Sequence, residues 1–155
     1  MKIIALFFVC AIAFSGYGQK GLRFEDAPQK GIEVKKLDAD YRSAIDSDPK
    51  KAVFKTDAEI EKHVQAYQDF LMDFGAFLLE NNFKWTATTR AFNRIYMKPD
   101  GTIDYFLYHF NTPVTEEQEK EFNRLLNIYI KDKKFGVTAN EKFAQCSPVT
   151  YPKSE

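Results

Sequence analysis

The sequence predicts a single α+β domain in which a small antiparallel sheet packs against two amphipathic helices. Three observations predict it: two helix-start motifs, a Pro-Asp-Gly hairpin turn between two β-rich runs, and a final β-rich run near the C-terminus. A length of 155 residues with 45% hydrophobic content suits one domain. The formal net charge is zero, so bulk attraction to nucleic acid or to an anionic membrane is not expected.

The N-terminus carries the pattern of a secretory signal peptide. Lys2 precedes an apolar run at 3–14, and a stretch rich in small residues follows it. This run of about a dozen residues is shorter than the roughly 20 that a helix needs to cross a bilayer. We therefore expect residues 1–19 to be removed near Gly18 or Gln19. The mature chain is expected to be periplasmic or secreted, with no stable membrane insertion.

Residues 20–55 are weakly patterned and are predicted to be an irregular segment. Within them, the alternation at 31–37 predicts a short strand, and 38–45 predicts one or two helical turns. Removal of the signal would leave Cys146 as the only cysteine, so no intramolecular disulfide is expected.

A long helix is predicted to begin at Thr56, because Thr56 and Glu59 form a capping box. In this motif the side chain of each residue accepts a hydrogen bond from the backbone N–H of the other. The pair at 81–82, two asparagines, can end it. Its apolar stripe has alternating steps of four and three residues: Ile60, Val64, Tyr67, Leu71, Phe74 and Leu78, widened by Phe70 and Phe77.

A β-hairpin is predicted next. Residues 86–97 and 103–110 are rich in β-branched and aromatic side chains, and the turn at 98–102 lies between them. Pro99 presets the first turn position, and Gly101 accepts the left-handed conformation that closes a three-residue loop.

A second helix is predicted from a second capping box, formed by Thr115 and Gln118, with Gly136 in the place of a C-terminal cap. Residues 142–151 form a last predicted strand, which Pro152 ends. The predicted organisation is a signal peptide at 1–19, an irregular segment at 20–55, an α+β domain at 56–152 and a tail at 153–155.

The turn at 98–103, Lys-Pro-Asp-Gly-Thr-Ile, and the closing sequence Val-Thr-Tyr-Pro at 149–152 resemble the C-terminal domain of TonB-type periplasmic proteins. The resemblance implies an α+β fold and a binding role in the cell envelope. The chain departs from the family pattern where Trp85 and Thr86 replace a Tyr-Pro pair, and where Lys-Phe-Gly at 134–136 replaces a Trp-Lys-Pro signature.

The hairpin turn also predicts which side chains share a face of the sheet. If Lys98 lies opposite Thr102, strand alternation places one set on a core face: Ala91, Ile95, Met97, Ile103, Tyr105 and Leu107. The other face then carries Asp104 and a group of aromatic and arginine residues. These are the candidate binding residues: Arg90, Phe92, Arg94, Tyr96, Phe106, Tyr108 and Phe110.

Aromatic and arginine side chains on one surface are typical of binding sites, because they offer rigid area, cation–π contacts and hydrogen bonds. Three alternatives remain open for this aromatic face. Residues 20–55 can cover it, two copies of the chain can associate through it as a homodimer, or it can bind a partner or a small ligand.

No motif commits the chain to a reaction, a metal or a cofactor. Glu59 and His63 share a helix face but have no third ligand, so a solvated ion pair is expected there. Cys146 and His109 offer a nucleophile and a base, which gives the alternative function of a small thiol-dependent hydrolase.

The predicted function is therefore that of an exported, non-enzymatic binding module. It would engage a protein or peptide in the cell envelope, either through the aromatic face or through the edge of the strand at 142–151. No nucleic acid partner and no cofactor are expected.

Overall fold

The structure is a computed structural model that describes residues 20–155, so the predicted signal peptide lies outside the described residues. The α+β class is confirmed, although the sheet has five strands and is mixed. In chain order the elements are β1 (Lys20–Arg23), α1 (Val34–Asp40), β2 (Arg42–Ser43), α2 (Asp57–Glu80), β3 (Thr89–Met97), β4 (Ile103–Phe110), α3 (Glu116–Ile130) and β5 (Phe143–Tyr151).

The sheet has the strand order β1-β4-β3-β5-β2. The central strand β3 pairs antiparallel with β4 on one side and with β5 on the other. The outer strands β1 and β2 run parallel to β4 and β5. Both outer strands come from residues 20–55, so this segment contributes a strand to each edge of the sheet.

The strand predicted at 31–37 is wrong. Residues 34–40 form α1, in which Leu37 is the buried residue. The alternation that suggested a strand has a physical alternative, since Val34 and Leu37 are three residues apart and face the same side of a helix.

Helix α2 begins as predicted. The hydroxyl of Thr56 accepts from the Glu59 N–H at 3.3 Å, and the Glu59 carboxylate accepts from the Thr56 N–H at 2.9 Å. Asn81 is the C-terminal cap, and Asn82 follows with a positive φ of 61°. Both ends of this helix are therefore set by local residues.

Helix α3 differs from its prediction in two details. Thr115 caps it by accepting from the Gln118 N–H at 3.2 Å, but the Gln118 side chain donates to the Lys84 carbonyl and does not complete a capping box. The helix ends at Ile130, so Gly136 lies in the following loop and is not its C-terminal cap.

The hairpin turn forms as predicted, with Gly101 at a φ of 82°. The predicted register is correct for Lys98 with Thr102 and for Met97 with Ile103, and it is wrong beyond these two pairs. Met97 lies opposite Ile103, but Tyr96 lies opposite Tyr105, so Asp104 is an extra residue in a β-bulge. A one-residue bulge moves every later side chain of β4 to the opposite face.

The main core lies between the sheet and the two long helices. It is rich in rings, most of which meet at tilted or edge-on angles: Phe70, Phe74, Phe106, Phe122 and Tyr129. Tilted ring pairs stabilise a core beyond their buried area, and this use accounts for much of the 15% aromatic content. Within residues 20–155, no helix is both long and apolar enough to cross a membrane.

A second, smaller core covers part of the opposite face of the sheet. Residues 20–55 supply its outer layer, and Tyr96, Leu107 and Ala144 supply its floor. The outer layer consists of Ala27, Ile32, Leu37 and Tyr41, and Leu22 of β1 lies beside Leu107 in the floor. The two long helices and residues 24–41 thus lie on opposite faces of one sheet, while Ala44 and Phe54 join the main core on the helix side.

Candidate functional site

The structure divides the candidate binding residues between the two faces of the sheet. The bulge at Asp104 places Phe106, Tyr108 and Phe110 on the helix face, where the sequence had not put them. Phe106 and Tyr108 are both 0% exposed, and their rings contact Phe70 and Phe122. These side chains are part of the main core and present no surface.

Tyr96 lies on the predicted face but is covered by residues 20–55. Its ring packs edge-on against Tyr41 with centroids 5.2 Å apart, and its hydroxyl donates to Asp38 Oδ1 at 2.8 Å. Coverage by the chain itself, one of the three alternatives, is thus correct for the hairpin end of this face.

The other end of the same face is partly open, although Phe24 packs against Phe92 with ring centroids 6.3 Å apart. Arg90 is exposed, and Phe92 and Arg94 are half-buried. On the neighbouring strand β5, every second side chain is exposed and points to this side: Cys146, Pro148 and Thr150. We call this set of six residues the open half of the sheet.

Arg94 reaches from β3 across β5 toward the edge of the sheet. Its Nε donates to the Cys146 Sγ at 3.0 Å, and its Nη1 forms an ion pair with Asp38 Oδ2 at 3.0 Å. Its guanidinium also lies 5.9 Å from the ring centre of Tyr96. The arginine is therefore held in one position above the outermost part of β5.

The outer backbone edge of β5 is largely unpaired. Strand β2 pairs only with Phe143 and Ala144, and the Ala44 N–H donates to the Ala144 carbonyl at 2.8 Å. Backbone groups alternate along a strand, so Cys146, Pro148 and Thr150 also direct their N–H and C=O groups outward. No strand within residues 20–155 pairs with them.

Two features limit this open edge. The Gln145 side chain donates to the Cys146 carbonyl at 3.2 Å, and Pro148 has no N–H to offer. The groups left for a partner are the N–H groups of Cys146 and Thr150 and the carbonyls of Pro148 and Thr150. A proline that points outward is the usual position for proline in an edge strand, where it discourages aggregation.

The opposite edge of the sheet is closed. Gly21 of β1 donates its N–H to Asn127 Oδ1 at 2.9 Å, and its carbonyl accepts from Asn127 at 2.8 Å and from Asn123 at 3.1 Å. These amide side chains of α3 bond the strand as a neighbouring strand would. On the open stretch of β5, by contrast, a side-chain amide bonds one of the outward groups, the Cys146 carbonyl, and leaves the N–H groups of Cys146 and Thr150 without a strand or side chain bonded to them within residues 20–155.

Helix α2 runs alongside the open edge. His63 bonds Gln145 and Tyr67 bonds Ser147, so the helix and β5 run in the same direction. Asp73 marks the side of α2 that faces α3, because it contacts Tyr129 and Lys133. Val64 lies on the opposite side of the helix, about 180° around its axis from Asp73. This flank of the helix, facing away from α3, consists of Val64, Gln68, Leu71 and Gly75.

The α2 flank carries two apolar side chains beside Gln68 and is partly uncovered. The sequence placed Val64 and Leu71 in the core stripe, yet Val64 is 39% exposed and Leu71 is only half-buried. Added atoms on Gly75 would meet nothing within 4 Å. No sequence signal distinguishes this flank from the rest of the stripe, because its exposure depends on where the sheet ends beneath it.

Cys146 and His109 are not brought together. They lie on β5 and β4, with β3 between them, and strand spacing of about 4.8 Å separates their backbones by about 10 Å or more. His109 contacts Glu25, while Cys146 contacts Arg94. Partial burial raises the pKa of the Cys146 thiol, and Arg94 offsets only part of this effect. A nucleophilic thiol usually has a lowered pKa, so this shift does not favour a catalytic role for Cys146.

His63 occupies a position that the sequence did not predict. It is only 1% exposed, stacks on Phe54 with ring centres 4.8 Å apart, and its Nε2 lies 2.7 Å from Gln145 Oε1. The expected ion pair with Glu59 is wrong, because that carboxylate caps α2. Burial lowers the pKa of His63. Across residues 20–155, no group of three or more metal-ligating side chains occurs.

Comparison with known proteins gives no match, either to a protein family, to a curated protein or to a solved structure.

Proposed function

We propose that this chain is an exported, non-enzymatic binding module that takes up an extended segment of a protein partner at the outer edge of β5. The observation that carries the proposal is the unpaired backbone of Cys146, Pro148 and Thr150. An extended segment that adds to such an edge satisfies backbone groups on both chains, which is the basis of β-augmentation.

The surroundings of the edge support the same proposal. An added strand would lie with one face toward the α2 flank and the other toward the open half of the sheet. It would thereby cover Val64, which is exposed despite being apolar. Burying apolar surface contributes about 25 cal/mol per Å², so the helix flank adds affinity to the backbone bonds.

Pro148 limits how many hydrogen bonds a partner segment can form on this edge. It can accept one hydrogen bond but donate none, which leaves one gap in any ladder formed on this edge. We expect a partner segment of about five residues, matching the stretch from Cys146 to Thr150 at one residue per 3.3 Å of strand.

Export to the periplasm or the cell exterior is part of the proposal. It is supported by the predicted signal peptide at 1–19 and by the resemblance to the TonB C-terminal domain family. The mature chain would keep only Cys146, which suits an oxidising compartment because no partner thiol is available within the chain.

The experiment compares two substitutions at one edge position. Thr150→Pro removes an outward N–H without removing a hydrogen bond to β3, and Thr150→Val keeps the N–H with a side chain of similar shape. Each variant, with the wild type, is used to capture partners from an envelope extract of the cells that produce the protein.

A partner retained by the wild type and Thr150→Val, but lost by a folded Thr150→Pro variant, is the expected result. Equal recovery by all three proteins would contradict binding at the edge. Thermal unfolding of each variant, followed by circular dichroism, shows whether it is folded.

A further inference from the structure

The two walls beside the open edge differ in chemistry. On the helix side the wall is the α2 flank, which has two apolar side chains, one glutamine and one glycine. On the other side lie Arg90 and Arg94, on either side of Phe92. Side chains of an added strand alternate between these two walls, so each wall selects every second residue of the partner.

Arg90 is a cation without a counter-charge. It is exposed, and no carboxylate within residues 20–155 forms an ion pair with it. It lies directly opposite Thr150 on β5. An extended arginine side chain is longer than the ~4.8 Å between neighbouring strands, so it can extend past the small threonine side chain to the edge. The neighbouring Arg94 demonstrates this reach, since its Nε contacts Cys146 on the same outer strand.

A second copy of the chain does not satisfy this arrangement. The nine residues of β5, Phe-Ala-Gln-Cys-Ser-Pro-Val-Thr-Tyr, include no carboxylate to meet Arg90. Pairing of two β5 strands would also bring two prolines into one short ladder and remove two donors from it. The charge and the hydrogen bonding both favour a different occupant.

We propose that the partner segment is an extended peptide whose apolar residues alternate with acidic ones, with the apolar side chains on the α2 flank and the carboxylates on Arg90. This inference rests on the proposed function and specifies the partner of that site. Arg94 contributes a second positive charge, which it shares with Asp38. Complementary charges at the rim of a site select the partner and fix its register.

The test uses three acetylated nine-residue peptides that alternate valine with glutamate, with lysine or with threonine. The protein is labelled with 15N, and binding is followed by the amide shifts of Cys146 and Thr150 at low salt. Arg90→Glu reverses the charge at the site. Lys120→Glu makes the same change of charge on α3, beside the closed edge, and serves as the control.

The glutamate peptide is expected to bind about fivefold more tightly than the threonine peptide, as a few exposed ion pairs at low salt allow. Arg90→Glu should transfer this preference to the lysine peptide, while Lys120→Glu should leave it unchanged. If all three peptides shift the two amides equally, the acidic preference is contradicted and the edge site is not.

If no peptide shifts these amides, both the preference and the edge site are contradicted. Shifts that grow with protein concentration in the absence of peptide would identify a second copy as the occupant, and would also overturn the inference.

Discussion

Arg94 donates from its Nε to the Cys146 Sγ at 3.0 Å, across the two strands that form the open side of the sheet. This contact joins the sole cysteine of the described chain to a guanidinium that Asp38 also holds. It fixes the charge near the outer edge of β5. It also affects the reactivity of the thiol, which is the nucleophile in the alternative function of a thiol-dependent hydrolase.

The reactivity of Cys146 distinguishes the binding module from that alternative. Partial burial raises the pKa of the thiol and Arg94 lowers it, with burial the larger effect. We expect the midpoint of the pH–rate profile for iodoacetamide to lie above that of an ordinary cysteine. Arg94→Gln should raise it further, while Arg90→Gln, which leaves the contact with Cys146 intact, should not. A midpoint below the ordinary value would favour the hydrolase.

The buried His63 predicts a pH dependence of stability. Because burial lowers its pKa in the folded chain, the unfolded chain binds more protons as the pH falls through the ordinary value of 6.5. Stability is therefore full above that value and declines below it. We expect a lower melting temperature at pH 5.5 than at pH 7.5, measured by circular dichroism.

His63→Phe is the matched variant, because a phenyl ring can keep the stacking on Phe54 without a titratable group. Most of the difference in melting temperature between the two pH values should disappear. Carboxylates with a lowered pKa, such as Asp73 beside Lys133, lose their contribution only at lower pH. An unchanged difference in the variant would show that another group titrates.

Substitution by alanine at two glycines is expected to change the free energy of unfolding in opposite directions. Gly101 has a φ of 82°, and a Cβ there would lie 2.5 Å from the Phe135 carbonyl oxygen. Gly101→Ala should lower the free energy of unfolding by about 2 kcal/mol, since both strain and a clash result. Gly75 lies within α2 in open space, and Gly75→Ala should raise it by about 0.5–1 kcal/mol. Urea titration measures both, and equal effects would contradict the hairpin geometry.

Features that depend on neighbouring residues could be predicted from the sequence. The capping box of Thr56 and Glu59 and the turn that Gly101 closes are formed by residues at most four positions apart. Their hydrogen bonds form wherever the chain takes that local shape. The start of α2 and the position of the hairpin therefore agree with the sequence predictions.

Features that depend on residues far apart in the chain could not be predicted from the sequence. The bulge at Asp104 is held by Tyr41, which donates to its carboxylate, and by an ion pair with Lys98 at 3.2 Å. Tyr41 is 63 residues away, so no local pattern indicates that Asp104 leaves the ladder. This one residue moved three predicted binding residues into the core. Strand β1 likewise depends on Asn127, 106 residues along the chain from Gly21.

The predicted signal peptide can be tested by mass. Protein recovered from the periplasm or the medium should lack about the first 18 or 19 residues, because the small residues at that point suit signal peptidase. Intact-mass measurement and N-terminal sequencing identify the cut. Lys2→Glu, which reverses the positive start, should reduce export, whereas Lys20→Glu should not. Full-length protein confined to the cytoplasm would contradict export.

Amide hydrogen exchange of the purified protein, read residue by residue along β5, tests the open edge most directly. The N–H groups of Gln145, Ser147 and Val149 face β3 and should be strongly protected. Those of Cys146 and Thr150 face outward and should exchange faster by at least about a hundredfold, as expected for amides outside a ladder. Equal protection at all five positions would show that the edge is already covered, and would contradict the proposed binding site.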